Sequence, residues 1–284
     1  MTRILLTGAS GMLGSDLAQV LGHYDVVAAT RAELDITDAD AVAAAVSGVG
    51  VVINAAAYTA VDDAETHRDE AFAINEQGPR NLAIAAKKAG ARLIHVSTDY
   101  VFDGEATEPY AENTLRKPAS VYGQSKAAGE VAIQAEHPEK SIIVRTAWLY
   151  GQHGPNFPKT MLRLAETKDT ISVVTDQIGQ PTWSMDLAKW IGNLIDSPVE
   201  SGVFHGTNSG HTSWFEFARE VYRLAGLDLE RIQPTTSDQF VRPAPRPSWS
   251  VLGHDAWTSA GLPLPRPWQD ALAEAFPICF SESS

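Results

Sequence analysis

The feature that most constrains the fold is a glycine-rich turn between the first predicted strand and the first predicted helix. Residues 4–7 form a short apolar run, Gly8-Ala9-Ser10-Gly11-Met12-Leu13-Gly14 follows at once, and apolar residues then recur at helical spacing. Glycines in such a turn let the backbone approach a pyrophosphate, and the helix N-terminus offers unpaired N–H groups. The order favours dinucleotide binding, with a merely flexible glycine loop as the alternative.

Further apolar runs predict a parallel sheet. We place the later strands at residues 25–28, 51–58, 92–96 and 142–145. Helical stretches separate them, so we predict an α/β fold with a Rossmann-type doubly wound parallel sheet. The dinucleotide-binding domain is expected at residues 1–150. Residues 151–284 are expected to form a smaller, mainly substrate-binding lobe, with some elements returning to the sheet and a frayed tail at 281–284.

The cofactor is expected along the carboxyl ends of the first three strands. Arg31 stands where an NAD-selective fold usually carries an acidic residue, and it can meet a 2′-phosphate, which favours NADPH. Glu33 and Asp35 leave NADH use open, and an exposed surface arginine is the alternative reading. The residues predicted to bind the cofactor are Gly8, Gly11, Met12, Leu13, Gly14, Arg31, Asp35, Ile36, Ala56, Ala57, Tyr58, Tyr122 and Lys126.

Tyr122 and Lys126 form the candidate catalytic pair. Their four-residue spacing puts both on one face of a predicted helix. An ammonium one turn away, together with a nicotinamide cation, stabilises a phenolate and lowers the pKa of the tyrosine toward neutral pH. The spacing alone is weak, because a surface helix can carry both residues by chance. The glycine turn and the strand ends before the pair make it significant.

The fourth strand leads into Ser97, Thr98 and Asp99 at the edge of the sheet where ligands bind. A hydroxyl there can donate a hydrogen bond to a substrate carbonyl oxygen, and we favour Thr98 over Ser97 for this role. Asp99 is a candidate substrate contact. Trp148, after the fifth strand, can pack on a sugar or base, or belong to the core. His95, inside a strand, is interpreted as a satisfied core histidine.

Composition limits the partners. A net charge of −13 argues against nucleic-acid and anionic-membrane surfaces, so an anionic ligand needs local cations.

A proline-rich run at residues 242–247 is predicted to cross the cleft as an extended loop. The absence of long apolar runs and of a signal-like N-terminal segment predicts a cytoplasmic protein. The candidate cations for a diphosphate are Arg145, Arg163, Arg242 and Arg246.

The glycine turn, the run Ser97-Thr98-Asp99 and the Tyr122/Lys126 pair together resemble the extended short-chain dehydrogenase/reductase superfamily. Longer runs, which begin at Asn54, Ser97, Asn156, Gln177 and Arg242, are similar to the dTDP-4-dehydrorhamnose reductase family. The similarity covers essentially the whole chain.

This resemblance implies that Thr98, Tyr122 and Lys126 are catalytic and that a nucleotide sugar is the substrate. It further implies hydride transfer from NADPH, or NADH, to C4 of a dTDP-4-keto sugar in the last step of dTDP-L-rhamnose synthesis. The implied substrate-binding residues are Thr98, Asp99, Tyr122 and Trp148.

The sequence leaves three points open. Ser15 and Asp16 stand where some members of the family carry a magnesium-binding glutamate, so no metal site is predicted, and a homodimer is left open. One alternative function is that of another nucleotide-sugar epimerase or reductase. A second is that of a non-catalytic regulatory subunit resembling the partner of methionine adenosyltransferase, although the presence of Thr98, Tyr122 and Lys126 speaks against it.

Overall fold

The computed structural model describes residues 2–280, and the tail predicted at residues 281–284 lies outside them. The strands, in chain order, are β1 Arg3–Thr7, β2 Asp25–Ala29, β3 Val51–Asn54, β4 Arg92–Thr98, β5 Ser141–Thr146, β6 Leu149–Tyr150, β7 Ile171–Val174, β8 Ile178–Gly179, β9 Thr182–Trp183, β10 Gly202–His205, β11 Thr212–Ser213 and β12 Ile232–Thr235. The helices are α1 Met12–Val20, α2 Ala39–Val46, α3 Arg68–Phe72, α4 Gly78–Ala89, α5 Val121–Glu136, α6 Phe157–Ala165, α7 Ser184–Asp196, α8 Trp214–Leu224, α9 Asp255–Ser259 and α10 Trp268–Cys279. A π-helical turn at Ala73–Gln77 joins α3 to α4.

The centre of the molecule is a six-stranded parallel sheet in the order β10-β5-β4-β3-β1-β2. Alternate residues of β1 face opposite sides, as a strand requires. Ile4 and Leu6 pack against α1 and α7, whereas Leu5 packs on the other side with residues of α2 and α4. Because helices cover both faces, the predicted doubly wound fold is confirmed.

The second half of the chain contributes to two regions. β10 extends the central sheet beside β5, and α7 packs on α1, so part of this half belongs to the Rossmann layer structure. The helices α6, α8 and α10 build a separate apolar cluster around Phe217, Tyr222 and Trp268. A domain boundary at residue 150 stays a prediction. Within residues 2–280, no helix is both long and apolar enough to cross a bilayer.

Helix α5, which carries Tyr122 and Lys126, is held unusually close to its neighbours by two glycines. A Cβ added at Gly123 would lie 2.2 Å from the Tyr100 carbonyl oxygen, and one added at Gly129 would lie 2.1 Å from the Asn75 carbonyl oxygen. The Asn75 side chain, in the π-helical turn, also donates a hydrogen bond to Ser125 Oγ at 3.0 Å. These contacts fix the height of α5 over the sheet.

We expect Gly129→Ala to displace α5, because the new methyl group meets backbone that has no rotamer with which to yield. Overpacking of this kind costs about 1–3 kcal/mol of unfolding free energy, and kcat should fall because Tyr122 and Lys126 move. Urea unfolding and turnover measure the two effects.

Gly192→Ala in α7 is the matched control, because its added Cβ would lie 3.6 Å from Val20 Cγ1, an ordinary contact. It should be neutral or stabilise by up to about 1 kcal/mol, since alanine is the better helix former. Equal midpoints for the two variants would contradict the packing argument.

Candidate active site

A cleft of about 620 Å³ runs along the carboxyl ends of the central strands. Gly8 has φ +70°, and a Cβ there would lie 2.6 Å from the Ala56 nitrogen; one at Gly14 would lie 2.2 Å from the Gly8 carbonyl oxygen. Side chains are therefore excluded where backbone must approach backbone. Gly11 is the N-cap of α1 and provides no side-chain cap, so the first N–H groups of the helix can bind an anion. The turn fits a dinucleotide pyrophosphate.

Nearly all the residues predicted to hold the cofactor lie in the lining of this cleft. They are Gly8, Gly11, Met12, Leu13, Gly14, Arg31, Asp35, Ile36, Ala56, Ala57, Tyr122 and Lys126. Tyr58 lies outside the lining: its ring packs in the same apolar cluster as Tyr122, and its N–H donates to Asn75 Oδ1 at 2.8 Å. The cofactor contacts of Tyr58 and of the lining residues stay predictions.

The charges at the adenosine end of the cleft favour a phosphate-bearing ribose. Both acidic side chains are engaged locally: Glu33 Oε2 accepts from the N–H of Thr30, and Asp35 Oδ1 accepts from the N–H of Thr37, each at 2.9 Å. The Arg31 side chain is 77% exposed and has only a 3.8 Å ion pair with Glu70. Arg31 is therefore the group here that is free to turn toward a 2′-phosphate.

The three predicted catalytic residues converge at the carboxyl end of β4. Burial raises the pKa of Tyr122 to about 12, against a hydrogen bond with Thr98 that lowers it. Burial also lowers the pKa of Lys126 to about 8. Lys126 Nζ donates to the Val96 carbonyl oxygen at 2.7 Å and lies 3.3 Å from His95 Nε2. Burial thus outweighs the hydrogen bond with Thr98 in the protein without cofactor, and the lowering of the Tyr122 pKa by Lys126 together with a nicotinamide cation stays a prediction.

Asp99 is buried beside Thr98 and belongs to the same group. Thr98 Oγ1 donates to Asp99 Oδ1 at 2.9 Å, and the carboxylate also interacts with the Ser250 hydroxyl. Burial raises the pKa of Asp99 to about 6, against these hydrogen bonds, which lower it. A carboxyl group with such a pKa changes protonation state in the range where most enzymes work. Ser250 was not among the predicted site residues, since a lone serine in a loop has no local signal.

Trp148 occupies a strained backbone position beside this group. Its φ of +46° is rare for a non-glycine residue, and such strain often marks functional sites. Its indole stacks on Trp214 with a centroid distance of 3.6 Å. Gly179 leaves the room for this stack, since a Cβ there would lie 2.6 Å from the Trp148 ring and 2.8 Å from Ser250 Oγ. Asp99, Ser250 and Trp148 therefore line one continuous region.

The structure corrects one of the four arginines proposed for a diphosphate. Arg145 is 2% exposed, and its guanidinium donates to both carboxylate oxygens of Glu130, at 2.9 and 2.8 Å. A cation committed to a buried carboxylate is unavailable to a ligand, so that prediction was wrong. Arg246 instead pairs with Asp62 at 2.9 Å, and Arg242 lies 3.9 Å from the same carboxylate. These contacts hold the loop at residues 242–247, called the Arg-Pro loop below, to the segment after β3.

This fold and site define a class: a Rossmann-type oxidoreductase with a Tyr-x-x-x-Lys pair, of the extended short-chain dehydrogenase/reductase type. The family described as the RmlD substrate binding domain matches residues 1–279. The chain belongs to this family, which confirms the resemblance seen in the sequence.

Relatives and a solved structure agree with this assignment. A dTDP-4-dehydrorhamnose reductase from Streptomyces griseus is 48% identical over 97% of this chain and 93% of its own. A dTDP-4-keto-6-deoxy-D-glucose reductase from Streptomyces niveus is 46% identical over 99% of each chain. The crystal structure of dTDP-4-dehydrorhamnose reductase from Bacillus anthracis in complex with NADP has a TM-score of 0.94 and 40% identity, covering 98% of this chain and all (100%) of that one.

We expect Asp99→Asn to stabilise the protein increasingly as the pH rises. The carboxyl pKa is raised by burial from 3.8 to about 6, so folding favours the protonated form. The stability that Asp99 contributes is therefore present below the unfolded pKa and is lost as the pH rises through about 6. Asparagine cannot ionise and avoids this loss.

Thermal unfolding of both proteins between about pH 4 and about pH 8 measures the trend as a growing Tm difference. Asp270→Asn, at an exposed position in the first turn of α10, is the control for the loss of a surface carboxylate. A Tm difference for Asp99→Asn that is constant with pH would contradict the raised pKa.

Proposed function

We propose that this chain reduces the C4 ketone of dTDP-4-dehydro-L-rhamnose to dTDP-L-rhamnose with NADPH, the last step of dTDP-L-rhamnose synthesis. The observation that carries the proposal is that Tyr122 and Lys126 line the same cleft as the glycine turn. Relatives at 45–48% identity that are named dTDP-4-dehydrorhamnose reductases support the substrate, and the NADP complex of the Bacillus anthracis enzyme supports the cofactor.

The proposed reaction converts a ketone, a hydride and a proton into a secondary alcohol. NADPH supplies the hydride to C4 when it is bound. Tyr122 gives its hydroxyl proton to the ketone oxygen. Thr98 turns its single hydroxyl hydrogen from Asp99 Oδ1 to that oxygen and donates a hydrogen bond to it as negative charge develops. The ammonium form of Lys126 stabilises the tyrosinate, which recovers a proton from solvent before the next turnover. Lys126 also holds the nicotinamide ribose.

The sugar nucleotide is proposed to lie between Asp99, Trp148 and the Arg-Pro loop. The Trp148 indole, backed by Trp214, offers an apolar face for the sugar. Arg246 is the cation proposed for the diphosphate, because it lies close enough to Tyr100 for its charge to lower the pKa of that tyrosine. The Tyr100 ring in turn packs edge-on against the Tyr122 ring, with a centroid distance of 5.5 Å. Residues from 151 onward would thus supply most of the substrate lobe. A cytoplasmic location completes the proposal.

The name of the Streptomyces niveus relative favours a second candidate substrate, a dTDP-4-keto-6-deoxy-D-glucose. The purified protein should therefore be given each of the two 4-keto sugars with NADPH and, separately, with NADH, and the loss of reduced cofactor followed. We expect faster turnover of the L-rhamnose precursor. We also expect faster turnover with NADPH, because the exposed Arg31 side chain is free to turn toward a 2′-phosphate. A preference for the D-gluco ketone would replace the proposed substrate.

The same assay distinguishes a reductase from an epimerase and from a regulatory subunit. An epimerase or dehydratase holds NAD through a closed cycle, so stoichiometric consumption of NADPH excludes it. A regulatory subunit turns over neither sugar, and that result would overturn the proposed activity.

We expect Tyr122→Phe to lower kcat by about 10²–10⁴-fold, the usual contribution of a general acid, and to leave NADPH affinity unchanged, because the ring is kept and only the proton donor is lost. Steady-state kinetics and cofactor titration measure the two quantities. Tyr222→Phe, a fully buried tyrosine in the apolar cluster of α6, α8 and α10, should keep wild-type turnover. Near wild-type kcat in Tyr122→Phe would remove Tyr122 from the reaction.

A further inference from the structure

A buried chain of hydrogen bonds leads from β1 to the catalytic lysine. Thr7 Oγ1 donates to Asn54 Oδ1 at 2.7 Å, Asn54 Nδ2 meets His95 Nδ1 at 3.0 Å, and His95 Nε2 meets Lys126 Nζ at 3.3 Å. Thr7, Asn54 and His95 are at most 1% exposed. Each member must therefore satisfy its hydrogen bonds within the chain, because water does not reach them.

The orientation of the Asn54 amide is fixed by the backbone. The N–H of Ala56 donates to Asn54 Oδ1 at 3.1 Å, and a backbone N–H can only donate. A flipped amide would set two donors against each other, so Nδ2 is the atom that faces His95. The Asn54 amide therefore donates to the His95 ring.

The tautomer of His95 follows from that orientation. Its Nδ1 must accept from Asn54 Nδ2 and cannot carry a proton. A doubly protonated ring is excluded by the same contact, and burial beside Lys126 holds the pKa of His95 well below its usual value. His95 is thus neutral with its proton on Nε2, directed at Lys126 Nζ.

An ammonium group cannot accept this hydrogen, whereas an amine can. The amine form of Lys126 has one lone pair for His95 Nε2–H and two hydrogens, one of which serves the Val96 carbonyl oxygen. All the contacts seen around Nζ are satisfied by the amine.

The charged and titratable groups around Lys126 do not reverse this preference. On α5, Tyr122 is neutral. Glu130 raises the pKa of Lys126, but less than burial lowers it, and its carboxylate is held by Arg145 of β5 at 2.8 Å and by Arg116 at 3.1 Å. Asp99, after β4, accepts a hydrogen bond from Thr98 Oγ1 and lies near the Ser250 hydroxyl. The lowered pKa of Lys126, about 8, agrees with a site that lacks a free counter-ion.

We propose that His95 is a positioning residue for the reaction: its Nε2–H, fixed through Asn54 and Ala56, opposes the ammonium form of Lys126 and so sets the upper pH limit of turnover. This inference rests on the proposed function of Lys126 in stabilising the Tyr122 anion. Lys126 is catalytically useful as an ammonium, so kcat falls where the lysine loses its proton.

The first test needs neither a variant nor a substrate. In the cofactor-free wild-type protein with isotope-labelled histidine, nitrogen NMR should show the His95 proton on Nε2. A proton on Nδ1 would overturn the proposal.

The second test compares His95→Gln with His205→Gln. Glutamine can turn its Oε1 to accept from Lys126, so the lysine titration seen by NMR, and the basic limb of the kcat profile, should move upward by about one pH unit. His205 is an equally buried strand histidine that bonds to the Gly253 carbonyl oxygen and lies 3.3 Å from Arg145 Nη1. Its replacement should move neither quantity. A basic limb common to wild type and His95→Gln would overturn the proposal.

Asn54→Asp tests the same proposal if the His95→Gln protein does not fold, because this variant keeps His95 and changes only its hydrogen-bond partner. The carboxylate accepts from Ala56 and must also accept from His95, so the ring proton should move to Nδ1 and Nε2 should accept from Lys126. An unchanged tautomer in a folded Asn54→Asp protein would overturn the proposal.

The outcomes for His95 and for the proposed function are distinguishable. Turnover of the keto sugar with no effect of His95→Gln on the Lys126 titration refutes the role of His95 alone. The expected tautomer and titration without any sugar turnover refute the proposed function alone.

Discussion

Because the central strands all run parallel, their backbone hydrogen bonds align the strand ends that carry the proposed reacting groups. Thr7 pairs in register with Asn54, Asn54 with His95, and Thr98 with Thr146. Side chains from four strands are thereby brought to one edge of the sheet, where α1 and α5 also begin. A slip of one residue in any strand would turn its site residue to the opposite face.

The same register separates two kinds of buried polar group. Around Arg145, opposite charges are in direct contact: Glu130 accepts hydrogen bonds from Arg145, Arg116 and Ser97, so the cluster ties α5 to β4 and β5. Around Lys126, no carboxylate makes a salt bridge within the described residues: its Nζ contacts a carbonyl and a neutral ring, and the charge of Glu130 only partly offsets the effect of burial on the Lys126 pKa. A buried ion pair holds the packed elements in place, whereas a buried cation without a partner has an altered pKa and can take part in chemistry.

Close backbone packing gives this edge its geometry. The α5 glycines at positions 123 and 129 touch carbonyl oxygens, and the π-helical turn presents Asn75 to both Tyr58 and Ser125. π-helical turns are uncommon and recur at functional sites. On the other side of the cleft, Trp148 keeps a strained backbone because its ring is clamped between Trp214 and Gly179. Rigid supports on both sides are what a hydride acceptor and a proton donor require.

The amino-acid sequence by itself determined the parallel α/β fold, the glycine turn and the residues at the strand ends, because these depend on local periodicity and on where glycine is tolerated. It also identified Thr98, Tyr122 and Lys126 as a group, since the order of elements predicts that strand ends meet. It could not determine which charges are neutralised: Arg145 looked like a free cation until the fold placed Glu130 against it. It likewise made His95 an ordinary core residue, which is correct for its burial but omits its contact with Lys126. Tertiary structure decided these points, because the pKa of a buried group and the direction of its hydrogen bonds depend on partners tens of residues away in the chain.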